Sequence, residues 1–260
     1  MSLDIAYIKA LLDRFLDGQI TREQLQGFLE GLSSPYVSVQ DFAKVDIDRR
    51  RRTGTPEFIY APGKSVDQIA AIALRMVETG LRNILVTRAE TTVYKQVAGL
   101  FPSSVYHALS KMIVIEPGET GQLLGKIGIA TAGTSDIPVA EEAEIACRAL
   151  GSLSIRIADI GIACLARTLD AVPELLTTNV IICIAGMEAT LPSVLAGLVP
   201  VPIIAVPTSV GYGVNAGGFN ALFSALGSCA PGITVVNIDN GIGAAAAAHR
   251  INTIAVEKRI

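Results

Sequence analysis

The chain of 260 residues lacks an excess of positive charge, a long apolar run and closely spaced cysteines. Its 21 Lys and Arg residues face 24 Asp and Glu residues, which gives a net charge of −3. A general nucleic-acid-binding domain carries a basic excess, so we expect no nucleic acid as a partner. No run of about 18 apolar residues is present to form a transmembrane helix, so we expect no membrane partner either.

Cysteine pairs and a secretion signal are also missing. No two cysteines have Cys-x-x-Cys spacing, which argues against a zinc site and favours a reduced chain. The first 20 residues, MSLDIAYIKALLDRFLDGQI, have the pattern of an acidic amphipathic helix and not the basic-then-apolar order of a signal peptide. These absences predict a cytoplasmic protein. The four cysteines are Cys147, Cys164, Cys183 and Cys229.

The chain instead has a long uncharged segment, residues 189–238, without Asp, Glu, Lys, Arg or His. Prolines interrupt this segment, so it cannot form one helix. Such a segment is typical of buried parallel strands alternating with packed helices, and its apolar character favours contact with other subunits. The interrupting prolines are Pro192, Pro200, Pro202, Pro207 and Pro231.

Strand and helix patterns divide the chain into two predicted domains, residues 1–125 and residues 126–260. The first is predicted to be a small helical and α/β domain. Its predicted helices cover residues 1–32 and 66–79, and its predicted strands cover residues 57–60, 83–86 and 112–115.

In the second domain, five predicted strands alternate with five predicted helices. This alternation predicts an α/β fold with a doubly wound, flavodoxin-like, three-layer parallel sheet. The strands are predicted at residues 127–131, 154–157, 180–184, 203–206 and 234–238, and the helices at about 137–150, 163–178, 190–198, 217–227 and 241–255.

The candidate site lies in the loops that follow these strands, because open parallel sheets bind ligands at the carboxyl ends of their strands. GTSD at residues 133–136 opens a helix and could bind phosphate or ribose through free backbone N–H groups, or Asp136 could only cap the helix. GYGVNAGG at residues 211–218 could let a ligand approach the backbone, or could serve only close packing. Lys64, in the turn APGKS at residues 61–65, could pair with an anion or be simply solvated.

Two further residues could carry chemistry. Cys229 lies in a loop between a helix and a strand, where a thiolate could reach a ligand, although a lone cysteine is commonly structural. The other three cysteines have the pattern of small buried apolar residues. Glu188 is the only charge in the loop after the third strand, and could move a proton or interact with a helix dipole.

Two segments of the second domain resemble PurE, the aminoimidazole ribonucleotide carboxylase/mutase family. GTSDIPVAEE at residues 133–142 resembles its first substrate loop. AGMEATLPS at residues 185–193 resembles its GAAHLPG loop, with Glu188 near the histidine position. The family's Ala-His-Arg-Thr-Pro segment has no histidine counterpart in the region that begins at residue 158. The resemblance covers about residues 126–260 and implies a PurE-like domain.

The whole chain is similar to the LarB family of nickel-pincer cofactor biosynthesis. The similar segments are RRRRTGTPEFIYAPGK at residues 49–64, GTSDIPV at 133–139, GMEATLP at 186–192, and the stretch from GYG at 211–213 to DNGIG at 239–243. This resemblance implies that nicotinic acid adenine dinucleotide is carboxylated at pyridinium C5 by CO2 or bicarbonate, and that its phosphoanhydride is hydrolysed. The implied products are pyridinium-3,5-biscarboxylic acid mononucleotide and AMP.

That chemistry implies catalytic roles for Cys229, as a nucleophile that adds at pyridinium C4, and for Glu188, as the acceptor of the C5 proton. Lys64, Arg88, Arg156 and Arg167 are the candidate partners of the diphosphate. The implied substrate-binding residues are Gly133, Thr134, Ser135, Asp136, Asp159, Gly186, Met187, Gly211, Tyr212, Gly213, Asn240 and Lys64.

The resemblance also sets expectations for cofactors and assembly. We expect no permanently bound organic cofactor, since the dinucleotide is a substrate. Mg²⁺ is a candidate for the hydrolysis, with Asp136 and Asp239 as its ligands. The PurE family forms octamers, so a homo-octamer is expected. Two alternative functions stay open: an aminoimidazole ribonucleotide carboxylase or mutase, and a non-catalytic nucleotide-binding module.

Overall fold

The computed structural model describes residues 5–33, 35–118 and 121–257. The chain divides into two compact units, Met1–Glu119 and Thr120–Ile260. The sheet of the second unit begins at Leu124, next to the predicted domain boundary between residues 125 and 126. Within the described part of the chain, no helix is long and apolar enough to cross a membrane.

The first unit contains five helices and six strands among its described residues. Strands β1 and β2 form an antiparallel hairpin, and a second, mixed sheet has the order β3-β4-β6-β5. In chain order the elements are α1 (Ile5–Leu16), α2 (Arg22–Ser33), β1 (Val37–Val39), β2 (Ala43–Val45), α3 (Arg49–Thr53), β3 (Ile59–Tyr60), α4 (Val66–Glu78), β4 (Ile84–Thr87), α5 (Thr91–Leu100), β5 (Val105–His107) and β6 (Met112–Ile115).

Helix α4 shows how the sequence determines this unit. Ser65 accepts a hydrogen bond from the Gln68 backbone, and the Gln68 side chain accepts one from the Ser65 backbone, so the two residues form a capping box. Ile69, Ala73 and Met76 then recur at helical spacing and are buried against the strands.

The second unit is a five-stranded sheet covered by helices. Its elements are β7 (Leu124–Thr131), α6 (Ile137–Leu150), β8 (Ser152–Ile157), α7 (Leu165–Leu175), β9 (Val180–Ala185), α8 (Leu191–Ala196), β10 (Ile203–Pro207), α9 (Phe219–Leu226), β11 (Ile233–Val235) and α10 (Gly241–Glu257).

All strands of this sheet are parallel, in the order β11-β10-β9-β7-β8. This is the flavodoxin-like order, in which the chain changes direction across the sheet between β7 and β9. The predicted doubly wound fold is confirmed. The loops that follow β7 and β9 therefore flank the switch point, where this architecture binds ligands.

The helices pack close to the sheet because their inner positions are small. On one side, α6 and α10 pack against each other and against β7, through alanines such as Ala143, Ala146 and Ala245 that are fully buried. Another cluster joins α7, α8 and α9 to the strands, with Leu175 and Leu195 fully buried. Strand β9, between these two layers of helices, is apolar and buried at every position from Val180 to Ala185, as expected for a sheet covered on both faces.

Candidate site at the carboxyl edge of the sheet

The loop after β7 is held by the buried carboxylate of Asp136. Its Oδ2 accepts a hydrogen bond from the Gly133 backbone (2.9 Å), and its Oδ1 accepts one from the Thr208 hydroxyl (2.8 Å). Burial raises the pKa of Asp136; these two hydrogen bonds oppose the rise, and the negative charge of Asp239 adds to it. Asp136 therefore braces the loop, while Thr134 and Ser135 are exposed and available to a ligand.

Thr208 joins three of the loops. It is fully buried just after β10, its hydroxyl reaches Asp136, and its backbone N–H donates to Ala185 at the end of β9. Gly186 follows Ala185 and lies close to the loop after β10. A Cβ at this position would lie 2.4 Å from the Val210 carbonyl oxygen and 2.7 Å from the Thr208 hydroxyl oxygen. Only glycine fits this position.

Glu188 is exposed on a tight turn between Gly186 and α8. Its two neighbours, Met187 and Ala189, have positive φ angles of 53° and 44°. The Thr190 hydroxyl donates to Glu188 Oε1 (3.3 Å). The carboxylate thus points into solvent at the carboxyl edge, beside the switch point, where it could accept a proton from a ligand.

Asp159 lies in the loop after β8, with a positive φ of 60°. Its backbone N–H donates to the Thr131 hydroxyl (3.1 Å), and its carboxylate forms an ion pair with Arg167 of α7. Asp159 therefore holds Arg167 beside this edge, whereas Arg156 of β8 pairs with Glu144 of α6.

The loop after β10 combines a buried anchor with an exposed tip. Asn215 is buried and its Nδ2 donates to the Val210 carbonyl (2.9 Å), whereas Tyr212 is 80% exposed. Gly211 has a φ of 150°, and a Cβ there would lie 2.4 Å from the Asn215 Nδ2. The segment from Gly211 to Gly213 is thereby presented to solvent.

Asp239 and Asn240 complete the edge after β11. Asp239 Oδ1 accepts a hydrogen bond from the Ser209 backbone (2.8 Å), and Asn240 Oδ1 accepts one from the Gly243 backbone (2.8 Å) at the start of α10. The buried Glu142 of α6 accepts the Gly241 N–H (3.1 Å). The structure thus brings Asp136, Thr208 and Asp239 together at one place.

Cys229 occupies a different position. It is exposed in the loop between α9 and β11, so it precedes the amino end of a strand, whereas Glu188 follows the carboxyl end of one. However, the neighbouring Ser228 hydroxyl hydrogen-bonds that of Ser193 (2.7 Å), in the first turn of α8. Because the Ser193 N–H donates to the Thr190 carbonyl, one helical turn separates this contact from the residue that hydrogen-bonds Glu188.

The comparisons with known proteins agree with this architecture. Residues 36–117 match the family described as LarB/PurE-like N-terminal domain, and residues 126–259 match the family described as AIR carboxylase. The chain is also 37% identical over 246 residues to "Uncharacterized protein MJ0165" of Methanocaldococcus jannaschii, an alignment that covers 91% of this chain and 93% of that protein. The chain belongs to the LarB/PurE-like family. The two domain matches support a carboxylase-family role for it.

This LarB/PurE-like chain has two exposed thiols and two buried ones among its free cysteines. Burial raises the pKa of Cys147 to about 12 and raises that of Cys183 as well, so neither thiol is a nucleophile at neutral pH. The prediction that Cys164 is buried was wrong. It ends a short 3₁₀ turn before α7, at the carboxyl edge, and faces solvent instead of the core.

The first unit of the LarB/PurE-like chain contains Lys64 in the turn before α4. Its Nζ donates to the Tyr60 carbonyl (2.9 Å) and lies 5.9 Å from the centre of the Tyr60 ring. The neighbouring arginine run forms α3, where Arg51 and Arg52 pair with Asp48, and Arg52 also pairs with Asp46. Those two arginines are therefore already neutralised by their own unit.

The metal prediction for Asp136 and Asp239 finds little support in the donor atoms. Both oxygens of Asp136 already accept hydrogen bonds, and its raised pKa disfavours the charged form that Mg²⁺ requires. Among residues 5–33, 35–118 and 121–257, no group of three or more His, Cys, Asp or Glu side chains could hold a metal ion. Mg²⁺ stays a prediction, and no step below uses it.

Three residues of the site escaped the sequence analysis: Thr208, Asn215 and Asn220. Thr208 could have been noticed as a hydroxyl directly after a buried strand, the same signal that drew attention to residues 133–136. Asn215 and Asn220 were missed because their roles come from hydrogen bonds to backbone carbonyls, which residue type does not indicate: Asn215 donates to Val210, five residues before it, and Asn220 donates to Met187, 33 residues before it.

Proposed function

We propose that this protein carboxylates nicotinic acid adenine dinucleotide at pyridinium C5 and hydrolyses its phosphoanhydride, releasing pyridinium-3,5-biscarboxylic acid mononucleotide and AMP. The position of the one histidine in the second domain supports this proposal most directly. The only histidine in residues 126–260, His249, hydrogen-bonds Ser152 at the start of β8, away from the carboxyl edge. A carboxylase-family domain without an imidazole at its site needs another proton acceptor, and Glu188 is exposed there.

The electronic problem is that C5 of a pyridinium ring is electron-poor. In the proposed mechanism, the Cys229 thiolate forms a bond to C4, and the electron pair moves into the ring, which becomes an enamine. The C5 carbon of this enamine then attacks CO2, forming a carbon–carbon bond and leaving an iminium ion at N1. This covalent route replaces one difficult step by several easier ones.

Glu188 then removes the C5 proton, which restores the enamine. The nitrogen electron pair expels the thiolate from C4, and the ring becomes aromatic again. The net change is replacement of the C5 hydrogen by a carboxylate, with the proton on Glu188 and no change in oxidation state. Exposure of both side chains makes them accessible to a ring, and the Ser193–Ser228 hydrogen bond joins the loop of Cys229 to α8, the helix that follows Glu188.

The remaining parts of the dinucleotide have candidate partners at the same edge. The exposed Thr134 and Ser135, which precede α6, are proposed to bind phosphate or ribose. Arg167 is proposed to bind the diphosphate, because its partner Asp159 holds it beside the carboxyl ends of β7 and β8. Tyr212 and its flanking glycines are proposed to line the ring site. The water that cleaves the phosphoanhydride has no assigned base.

The proposal is tested by measuring, with mass spectrometry, whether a labelled carboxyl group is incorporated into the pyridine mononucleotide. The protein is incubated with nicotinic acid adenine dinucleotide and ¹³C-bicarbonate, and we expect a pyridine mononucleotide that gains one labelled carboxyl group, together with AMP. Cys229→Ala should abolish this gain and Cys164→Ala should preserve it, since both thiols are exposed but only Cys229 is assigned to the ring. The C4 adduct should appear as added mass on a peptide containing residue 229.

Three results would contradict the proposal or its assignment of the nucleophile. Labelling of aminoimidazole ribonucleotide in place of the dinucleotide would assign the purine reaction to this protein. Nucleotide binding without labelling, unaffected by Cys229→Ala, would indicate a binding module. Loss of labelling in Cys164→Ala but not in Cys229→Ala would move the nucleophile to the loop after β8.

A further inference from the structure

The turn that carries Glu188 is strained on both sides. Met187 and Ala189 have φ angles of 53° and 44°, in the left-handed region that side chains with a Cβ adopt at a cost in free energy. Two such residues around one exposed carboxylate need an external restraint, because an isolated turn would relax. The contacts of the turn therefore show what holds Glu188 in place.

Three hydrogen bonds restrain this turn. The Met187 N–H donates to the Val210 carbonyl (3.2 Å), and the Ala189 N–H donates to the Gly186 carbonyl (2.8 Å). The third restraint comes from a side chain: Asn220 Nδ2 donates to the Met187 carbonyl (3.1 Å). This amide stands in the first turn of α9, at position 220, 33 residues from the carbonyl that it contacts.

We infer that Asn220 is a positioning residue that holds the Met187 peptide in its left-handed conformation and thereby aims Glu188 at the substrate. The inference rests on the proposed function, in which Glu188 accepts the C5 proton. Both backbone groups of Met187 are then hydrogen-bonded. Its N–H donates to the Val210 carbonyl, which Asn215 Nδ2 also contacts, and its carbonyl accepts from Asn220. Asn220 supplies the restraint on the carbonyl end.

The inference separates binding from proton transfer. Asn220 contacts the backbone carbonyl of Met187, which precedes Glu188, and it makes no hydrogen bond to the loop of Ser135 or to Arg167 of α7 among the contacts described above, so we expect its removal to leave both in place. The dinucleotide should bind as before, whereas a displaced carboxylate removes the C5 proton more slowly. Misplacement of a reacting group by about 1 Å can lower a rate by about a hundredfold.

The first experiment compares Asn220→Ala and Asn220→Asp with the wild type. Asn220→Asp keeps the shape of the side chain and removes the N–H donor. We expect both variants to lower kcat for carboxylation by about ten- to a hundredfold, with KM for the dinucleotide within about twofold of the wild type. Ser224→Ala, one turn further along α9, is the matched control and should leave both constants unchanged.

A double-mutant cycle tests whether Asn220 acts through Glu188. In a Glu188→Ala background, Asn220→Asp should cause no further loss of kcat, because the side chain that it positions is already absent. Losses that multiply in the double variant would overturn the inference, as would an equal rise in KM and fall in kcat.

A second measurement does not depend on catalysis. Hydrogen exchange, followed by mass spectrometry of peptides that cover residues 185–190, should be faster in both Asn220 variants and unchanged in Ser224→Ala. Unchanged exchange in the Asn220 variants would overturn the positioning role, even with an active enzyme. If the wild type fails to carboxylate the dinucleotide but the variants still exchange faster, the proposed function fails and the restraint of the turn stands.

Discussion

Thr208 shows how one hydroxyl group can connect a fold to its site. It is fully buried after β10 and donates to the buried carboxylate of Asp136, which in turn accepts the Gly133 N–H. Burial, and to a smaller extent the negative charge of Asp239, raise the pKa of Asp136, whereas the two hydrogen bonds favour its charged form. The stability of the loop after β7 therefore depends on the pH range in which Asp136 is ionised.

This dependence predicts the behaviour of Thr208→Val, which keeps the shape and removes the hydroxyl. At neutral pH the variant should lose about 2 kcal/mol of unfolding free energy, the usual contribution of a hydrogen bond to a charged group. Loss of the donor raises the pKa of Asp136 further, so the folded variant takes up a proton more readily than the wild type. The deficit should therefore be largest at neutral pH and shrink as the pH falls. Urea denaturation at several pH values measures it.

Thr168→Val is the matched control for this prediction. Thr168 is equally buried, but its hydroxyl donates to the neutral Ile160 carbonyl (2.7 Å). Its loss should cost about 1 kcal/mol, and the same amount across the acidic range. Equal pH profiles for the two variants would show that the Thr208 hydroxyl does not favour the charged form of Asp136.

At this scale the sequence was informative about loops and uninformative about partners. Asp136 and Glu188 could be chosen because each follows a buried strand and carries a charge. The residues that hold them in place could not be predicted, because Thr208 is 72 residues from Asp136 and Asn220 is 33 residues from Met187. Cys164 was misjudged for a similar reason: its exposure depends on a turn before α7 whose path has no signature in residue type.

At the scale of elements, the second unit was predictable because strand and helix alternate in it. The predicted strand 234–238 nevertheless ends at Val235, since β11 is an edge strand paired only with β10. The first unit was predicted less completely: the β1–β2 hairpin, α3, α5 and β5 were missed. Strands of three residues are too short to show a period, and their pairing is made by contacts within the folded unit.

The β1–β2 hairpin yields a prediction of stability. Gln40 follows β1, is exposed and has a φ of 49°, which costs a residue with a Cβ about 1–2 kcal/mol. Gln40→Gly removes that cost. Glycine also raises the conformational entropy of the unfolded chain, which cancels part of the gain in stability. We expect the unfolding free energy to rise by about 0.5–1 kcal/mol in urea denaturation.

The same hairpin provides the control. Ser38 is exposed within β1, where extended backbone gives glycine no advantage. Ser38→Gly should lower the unfolding free energy by about 0.5–1 kcal/mol. Stabilisation by both substitutions, or by neither, would show that the backbone angle of Gln40 is not the source of the effect.

At the scale of the whole molecule, the outer face of α9 is unusual. Phe219, Phe223 and Leu226 recur at helical spacing and are 53%, 66% and 62% exposed. They lie in the uncharged segment 189–238, between the exposed Tyr212 and Cys229. A stripe of large apolar side chains left in water is unfavourable, and such patches mark interaction surfaces. The expected homo-octamer provides an occupant for this stripe, namely another copy of the chain.

Phe223→Glu tests that expectation, because a carboxylate buried in an apolar interface loses its hydration without gaining a partner. Light scattering of the wild type should give the mass of an octamer, and the variant should give smaller species with an unchanged circular dichroism spectrum. Leu100→Glu, in α5 of the first unit, is the control: Leu100 is 63% exposed, and its substitution should leave the octamer intact. An octamer that persists in Phe223→Glu would place the interface elsewhere, and a monomeric wild type would leave the α9 stripe without its expected partner.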